Sequence, residues 1–304
     1  MTASDSTSLP PLARPGLDRA AEERVTPDLV ETLKTDAATR VVVIAGDSAP
    51  LIAPDQLAWR APAEVPDGGE WAFLGRDDDG VALLTAVFTA QEEELFSAPA
   101  GWAGLRTAGA LLSAAEAGAF VEALSLGRWL LDAPYCPACG TLTILGDAGW
   151  SRRCPNCGRQ HFPRTDPAVI VAITSADDPD LLLLGSNALW GADRFSCFAG
   201  FVEAGESLEA AVRREVAEES GIEVGRVTYR GSQAWPYPRS LMVGFLAEAG
   251  DDDAARADGE EIAAVRWFTR DEVGRALGGE GEVVLPGRAS IAHRLIADWH
   301  AGLA

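Results

Sequence analysis

Hydrophobic residues along this chain fall into short runs of two kinds. VVVIAG, directly after Arg40, is a continuous apolar run of strand length and predicts a buried strand. Glu70–Gly75 and Val81–Phe88 predict two more strands, joined by a turn through Arg76 and the DDDG of Asp77–Gly80. From Thr107 to Asp132, Leu, Phe, Ala and Trp recur at helical spacing, which predicts one helix over the whole stretch. AVIVAITS and LLLLGSN, separated by ADDPD at Ala176–Asp180, predict a β-hairpin. Further strands are expected near Val224–Gly231, Leu241–Glu248 and Glu261–Phe268. Helices are expected over Ser207–Ser220, from Thr269 or Arg270 onward, and over Ala289–Ala301. Strands and helices alternate irregularly, so the expected class is α+β, with a mixed sheet between helices.

Composition narrows this picture. A chain of 304 residues predicts about two domains with real cores. A hydrophobic fraction of 47% and a charged fraction of 23% are those of a soluble globular protein. No apolar run approaches the ~20 residues of a membrane span. MTASDSTSLPPLARPG lacks the basic start and apolar core of a secretory signal, so a cytoplasmic location is expected. Residues 1–20 are rich in Pro, Ser and Thr and are expected to be disordered or loosely packed. The net charge of −21 disfavours a broad nucleic-acid footprint. It leaves room for one RNA end in a local pocket. The runs Asp77–Asp79 and Asp251–Asp253 read as solvated loops. The first 130 residues or so carry no catalytic motif, and their Trp and Leu read as core. Three histidines in total form no convincing triad.

A boundary falls near Ala133-Pro134. Beyond it lie Cys136-Pro-Ala-Cys139-Gly and Cys154-Pro-Asn-Cys157-Gly, two knuckles separated by fourteen residues. This spacing fits a four-thiolate zinc ribbon. Gly140 and Gly158 would turn each knuckle back, so that all four sulfurs face one tetrahedral ion. Two disulfides or two redox pairs are the alternatives; disulfides fit poorly with a cytoplasmic chain. Four thiolates leave no open coordination position, so such a site is structural. Cys197 reads as a small buried residue.

The most informative stretch is Gly200–Ile222, GFVEAGESLEAAVRREVAEESGI. Ser207 is a good N-cap, and Gly221 stands where a left-handed C-cap is wanted. At about 100° per residue, Glu215, Glu218 and Glu219 share one arc of the helix. Leu208, Val212 and Val216 form an apolar stripe beside it. Like charges at helical neighbours destabilise, and a hard divalent cation such as Mg²⁺ or Mn²⁺ would relieve them. Gly200 and Gly205 make a tight loop whose backbone can approach a ligand, and Glu206 and Arg214 could pair to brace it. An exposed acidic helix face is the alternative. A second stretch, Ser232-Gln233-Ala234-Trp235-Pro236-Tyr237-Pro238-Arg239-Ser240, reads as a stiff loop offering stacking and hydrogen bonds. Here the alternative is a Pro-rich connection with a buried Trp.

Gly200, five residues, Glu206, seven residues, then Arg214-Glu215-Val216-Ala217-Glu218-Glu219-Ser220-Gly221-Ile222 resembles the signature of the Nudix hydrolases, position for position. Together with the ribbon, the Phe162-Pro163-Arg164-Thr165-Asp166-Pro167 segment and the closing Ser290-Ile291-Ala292-x-x-Leu295-Ile296, the second stretch resembles the SQPWPFPxS motif of the NADH pyrophosphatases of the NudC type. The resemblance runs from Pro134 to the C-terminus; before that only domain order supports it. It departs at Ala234 for Pro, Tyr237 for Phe and Arg239 for a common Gln. These changes bear on fine specificity more than on reaction type.

The resemblance implies a Nudix α/β/α sandwich over residues 165–304, a zinc ribbon over 134–164 and a NudC-like α/β domain over 1–133. It implies hydrolysis of the pyrophosphate of NADH or NAD⁺ to AMP and nicotinamide mononucleotide, and removal of NAD caps from RNA 5′ ends. One structural zinc would sit on Cys136, Cys139, Cys154 and Cys157. Catalytic Mg²⁺ or Mn²⁺ would be held by Glu215, Glu219, Glu261 and the Ala199 carbonyl, with Glu260 able to exchange roles with Glu261. Glu218 would be a further ligand or the base. Phe162, Phe201, Gln233, Ala234, Trp235, Pro236, Tyr237, Pro238, Arg239, Ser240 and Ala292 would line the substrate pocket. The family further suggests a homodimer and no membrane association.

Overall fold

A computed structural model of the chain describes residues 9–13 and 16–303. It divides into two compact units: Met1–Thr165 with Pro236–Arg239, and Asp166–Trp235 with Ser240–Ala304.

The first unit carries β1 (Arg40–Ala45), β2 (Ser48–Ala53), β3 (Gln56–Leu57), β4 (Glu70–Arg76), β5 (Ala82–Phe88) and β6 (Trp102–Gly104). These form one sheet in the order β3-β2-β1-β5-β4, with β6 paired to β2. VVVIA of β1 is fully buried and runs parallel to β5, from Arg40↔Leu83 to Ala45↔Phe88. An apolar run without alternation is what a strand covered on both faces requires. The helices are α1 (Leu29–Lys34), α2 (Leu105–Ala108) and α3 (Ala114–Asp132). The single helix expected over Thr107–Asp132 is therefore broken. Ser113 caps α3, its Oγ accepting from Glu116 N at 3.2 Å, and the chain before it turns. A side chain that bonds forward to the backbone ends continuity on its N-terminal side.

The looseness expected of residues 1–20 lies partly outside the described residues. Within them, Leu12 and Ala20 are buried. Asp18 and Arg76 also exchange backbone hydrogen bonds of 2.9 and 2.7 Å. That segment is docked, because β4 offers an edge to pair with.

The ribbon belongs to this unit. β7 (Ile144–Gly146), β8 (Ser151–Arg153) and β9 (Gln160–His161) form a small antiparallel sheet between and after the two knuckles.

The second unit is a mixed sheet of β10 (Asp166–Thr174), β11 (Leu181–Asn187), β12 (Phe198–Phe201), β13 (Val224–Trp235), β14 (Ser240–Ala249) and β15 (Ile262–Thr269). Its order is β13-β14-β10-β11-β15, with β12 also on β10. β10 runs parallel to β14 and antiparallel to β11 and β12. Strand alternation sorts β10 between two cores. Val169, Val171 and Ile173 pack with Val212 and Val216 of α4 (Leu208–Ser220). Ile170 and Ala172 pack with Val273 of α5 (Arg270–Leu277) and Ile291, Leu295 and Trp299 of α6 (Ile291–His300). Helices thus cover both faces, as the α/β/α expectation required. Burying a Val or Leu of this kind contributes about 1.5–3 kcal/mol.

The Ser232–Ser240 stretch differs from a loop. Ser232–Trp235 ends β13 and Ser240 begins β14, with Gln233↔Met242 and Trp235↔Ser240 in register. Only Pro236–Arg239 turns. Alternate side chains of this stretch therefore face opposite sides of the sheet.

α3 is buried over most of its circumference, and that buries Glu122. Its carboxylate lies 3.4 Å from Arg19 and 3.9 Å from Arg24, yet burial outweighs both guanidiniums and pushes its pKa up to about 7. A carboxyl raised in the folded state is more readily ionised when unfolded. Its contribution is therefore fully favourable below about pH 4.5 and is lost as pH rises to about 7. Glu122→Gln removes this slope. Whatever constant offset it brings, the stability of Glu122→Gln relative to wild type is expected to rise between pH 5 and 7, by at most ~1.4 kcal/mol per unit. Thermal melts at several pH values check this; parallel Tm profiles would refute it.

Candidate active site

α4 is delimited as its sequence requires. Ser207 Oγ accepts from Ala210 N at 3.2 Å, and Gly221 closes the helix in the left-handed region at φ 70°. Ala211, Val212, Val216 and Ser220 are buried. This leaves Glu215, Glu218 and Glu219 along one flank, beside β12.

Gly200 of β12 lies directly against Glu215. A Cβ built on Gly200 would stand 2.0 Å from Glu215 Cδ, far inside contact distance. Glycine is needed there because a carboxylate occupies the side-chain position, not because of an unusual φ. One residue earlier, Ala199 N donates to Glu219 Oε2 at 3.3 Å. The strand's main chain thus touches two of the three glutamates.

Arg214 ties the box together. Its Nε and Nη2 donate to the two oxygens of Glu206 at 2.9 and 2.8 Å. Its Nη1 donates to Glu215 Oε1 at 2.7 Å and Glu218 Oε2 at 3.1 Å, and Nη2 also reaches the Phe201 carbonyl at 3.0 Å. The bidentate pair holds the Glu206 carboxyl below its usual range. Glu206 Oε2 accepts from Glu203 N at 3.0 Å as well, which closes the Val202–Glu206 loop. The bracing expected of Glu206 and Arg214 is therefore present.

Glu219 is 5% exposed. Burial, then the charges of Glu261 and Glu215, push its pKa up to about 8. Burial also raises Glu215, against the pull of Arg214. The charge of Glu261 acts on both. Glu261 is fixed by its main chain: its carbonyl accepts Ala188 N at 2.8 Å. Asp258 Oδ1 accepts the amides of Glu260, Glu261 and Ile262 at 2.9, 3.1 and 2.9 Å. Those three bonds hold the Asp258 carboxyl below its usual range. Asp258 was missed in the sequence, where Asp258-Gly259 before a strand was the available turn signal.

The oxygen set at this edge suits a hard divalent cation, which would offset the burial and the neighbouring negative charge that raise Glu215 and Glu219. The carboxylates are not drawn together like the ribbon sulfurs. Among the described residues, the group with all its ligand atoms within 4.8 Å of one another is Cys136, Cys139, Cys154 and Cys157. Cys136 and Cys157 Sγ are 3.6 Å apart, and Cys139 and Cys154 Sγ 3.4 Å. A tetrahedron with Zn–S of about 2.3 Å needs sulfurs about 3.8 Å apart. The two knuckles share one geometry: Gly140 N bonds Cys136 O at 2.8 Å and Gly158 N bonds Cys154 O at 3.0 Å. Both glycines have positive φ, 71° and 74°. The ribbon fits one structural zinc ion. Cys197 is buried and its thiol is pushed up to about 12, as expected of an inert core residue.

The expected substrate-lining residues divide. Phe201 is exposed in unit two, and Phe162 is exposed in unit one after β9. Pro238 and Arg239 are exposed in the turn, while Pro236 is buried. Ala234 and Trp235 are half-buried on β13, and Ser240 is buried on β14. Tyr237 is half-buried, with Arg106 Cζ 4.5 Å from its ring centroid. Burial raises its pKa. Gln233 is 1% exposed, and its Nε2 donates to the Ala289 carbonyl at 2.9 Å, just before the Ser290 cap of α6. Ala292 is buried in the α6 core. In this arrangement Gln233 and Ala292 belong to the packing that seats α6.

Two outcomes follow. Because Glu215's carboxyl is the far end of a flexible side chain, Gly200→Ala is expected to keep the fold and displace that carboxyl. Far-UV circular dichroism should stay unchanged while calorimetric affinity for Mn²⁺ falls at least about ten-fold, in line with the loss of an oriented ligand. The purified chain should carry one zinc by elemental analysis, and Cys154→Ser should lose it together with several degrees of Tm. Zinc-free protein with an unchanged melt would contradict the second.

Three successive segments match known domain families: an NADH pyrophosphatase-like rudimentary NUDIX domain at residues 30–129, an NADH pyrophosphatase zinc ribbon domain at 132–162 and a NUDIX domain at 164–285. Proteins of Mycobacterium bovis and Mycobacterium tuberculosis named NAD-capped RNA hydrolase NudC are 38% identical over 308 residues, covering 97% of this chain and 96% of theirs. A human protein named NAD-capped RNA hydrolase NUDT12 is 40% identical over 194 residues, covering 60% of this chain and 42% of its own. Similar along nearly its whole length to NudC proteins and carrying that group's three domains in succession, the chain belongs to the Nudix hydrolases of the NADH pyrophosphatase type.

Proposed function

We propose that this chain hydrolyses the pyrophosphate bond of NADH or NAD⁺ to AMP and nicotinamide mononucleotide, and removes NAD caps from RNA 5′ ends. The observation that carries this reading is the flank of α4. There Glu215 and Glu219 are raised by burial and by the charge of neighbouring glutamates, against the main chain of Ala199 and Gly200. Curated relatives named for NAD-capped RNA support the substrate class.

Glu215, Glu219, Glu261 and the Ala199 carbonyl would hold Mg²⁺ or Mn²⁺. When bound, the metal neutralises charge on the diphosphate and activates water. Glu218 is 60% exposed and bonds Arg214 through Oε2, so Oε1 can take the proton of the attacking water. Arg214 keeps Glu215 and the Phe201 carbonyl in place. Phe201, exposed beside Gly200, offers a face on which a base can stack. Ala234–Ser240 and Phe162 would select the dinucleotide, with Arg239 exposed in the turn as a cation for a phosphate. Gln233 and Ala292 act from behind, by seating α6. The domain limits 1–133, 134–164 and 165–304, action as a homodimer and a cytoplasmic location belong to the same proposal.

The test is a substrate panel. NADH, NAD⁺, ADP-ribose and an NAD-capped oligoribonucleotide are incubated with Mg²⁺ or Mn²⁺, and AMP or uncapped RNA is followed. Higher kcat/KM for the nicotinamide substrates is expected. Glu219→Gln should lose at least about a hundred-fold in kcat with its melt retained. Preference for ADP-ribose would point to another nucleoside diphosphate derivative, to which Ala234, Tyr237 and Arg239 could have adapted the hairpin.

A further inference from the structure

The segment from Asn187 to Arg194, between β11 and the buried Phe195, has no part in the reading above. It is tied down at both ends. Asn187 pairs with Ile262 at the end of β11, and Ala188 N bonds the Glu261 carbonyl. Phe195 packs edge-on to Phe268 at 5.0 Å, and Phe195 N bonds the Val284 carbonyl at 3.1 Å. Asn187 then bonds the two residues that follow Ala188: Oδ1 accepts Leu189 N and the carbonyl accepts Trp190 N, each at 2.9 Å.

This organised root presents an apolar tip to solvent. Leu189 is 93% exposed and Trp190 40%. The Arg194 guanidinium lies 5.1 Å from the Trp190 ring centroid, exposed and paired with no carboxylate among the described residues. An exposed indole beside a cation is the combination that single-stranded nucleic acid uses, with base stacking on the ring and the phosphodiester at the guanidinium. The root of the segment bonds the main chain of Glu261, whose charge acts on Glu215 and Glu219. The tip begins two residues beyond that bond, since Trp190 N bonds the Asn187 carbonyl at 2.9 Å and Ala188 N the Glu261 carbonyl at 2.8 Å. In a chain with net charge −21, a single stacking position with its own cation is a local means of holding an anionic strand.

We propose that Trp190 and Arg194 form a subsite for the first nucleotides of RNA beyond the cap, with a base stacked on the indole and its phosphodiester at Arg194. This rests on the capped-RNA reading above. A free dinucleotide has no residue to place there, so the subsite discriminates capped RNA from NAD⁺.

The experiment compares kcat/KM for NAD⁺ and for a short single-stranded NAD-capped oligoribonucleotide, using wild type, Trp190→Ala and Arg194→Gln. Stacking of one base is worth ~1–3 kcal/mol, so Trp190→Ala should lower the RNA-to-NAD⁺ ratio of kcat/KM about ten-fold. Arg194→Gln should reduce the slope of log(kcat/KM) for RNA against log[salt] by about 0.7, the value for one phosphate contact on a single strand. An unchanged ratio in Trp190→Ala overturns the proposal. So does an equal loss on both substrates accompanied by altered sedimentation, which would make the tip a contact between copies of the chain. Wild type cleaving NAD⁺ but not capped RNA removes the reading on which it rests, and is told apart by needing no variant.

Discussion

Arg214 is asked to serve three carboxylates, and the site depends on how they share it. Its fork goes to Glu206, the most complete pair it makes, and that carboxyl is held low. Glu215 receives one donor, and burial still raises it. Glu218 receives a longer contact and stays largely in water. The same guanidinium gives three environments, because desolvation differs at each end of its reach. Glu219 is paired with no guanidinium among the described residues, and burial with the charges of Glu261 and Glu215 pushes it up to about 8. The box thus runs from a fully paired carboxylate at Glu206 to a buried one at Glu219.

The sheet supplies the geometry that this arrangement needs. β10 shares one side between β12, along Ala168–Val171, and β11, at Ile173–Thr174. That division places Gly200 opposite Val169, whose side chain enters the core beneath α4. A one-residue slip of β12 would bring the side chain of Ala199 or Phe201 to the position that Glu215 occupies. Register is thus coupled to the acidic flank through one missing Cβ, in addition to the usual coupling through buried side chains.

Much of this was legible in the sequence because it is local. Caps at Ser207 and Gly221, the shared arc of glutamates and the two knuckles follow from spacing within a helix or turn. The Glu206–Arg214 pair was legible too. Three features were not. The Ser232–Ser240 stretch reads as a loop because two prolines dominate it, yet cross-strand pairing with β14 carries Ser232–Trp235 as strand. The break before Ser113 is hidden because apolar residues continue across it. The work of Gly200 and Asp258 depends on what other segments bring to them, Glu215 in one case and three successive amides in the other. Periodicity reports an element's own faces; it does not report which side chain arrives from elsewhere.

The two candidate metal positions also differ in what folding alone can complete. Thiols are weakly hydrated and compact, so the knuckle turns can bring four sulfurs to near closing distance. Carboxylates are strongly hydrated and repel one another, so α4 and the Asp258 turn set their backbones and leave the head groups apart. Four thiolates filling a tetrahedron leave no position for water or substrate. The oxygen edge differs in this respect, since its carboxylates are not drawn together as the four sulfurs are and space is left between them. The repulsion that makes this edge a poor contributor to stability also keeps its carboxylates apart, and the restraint on them comes from Arg214 and the main chain of β12.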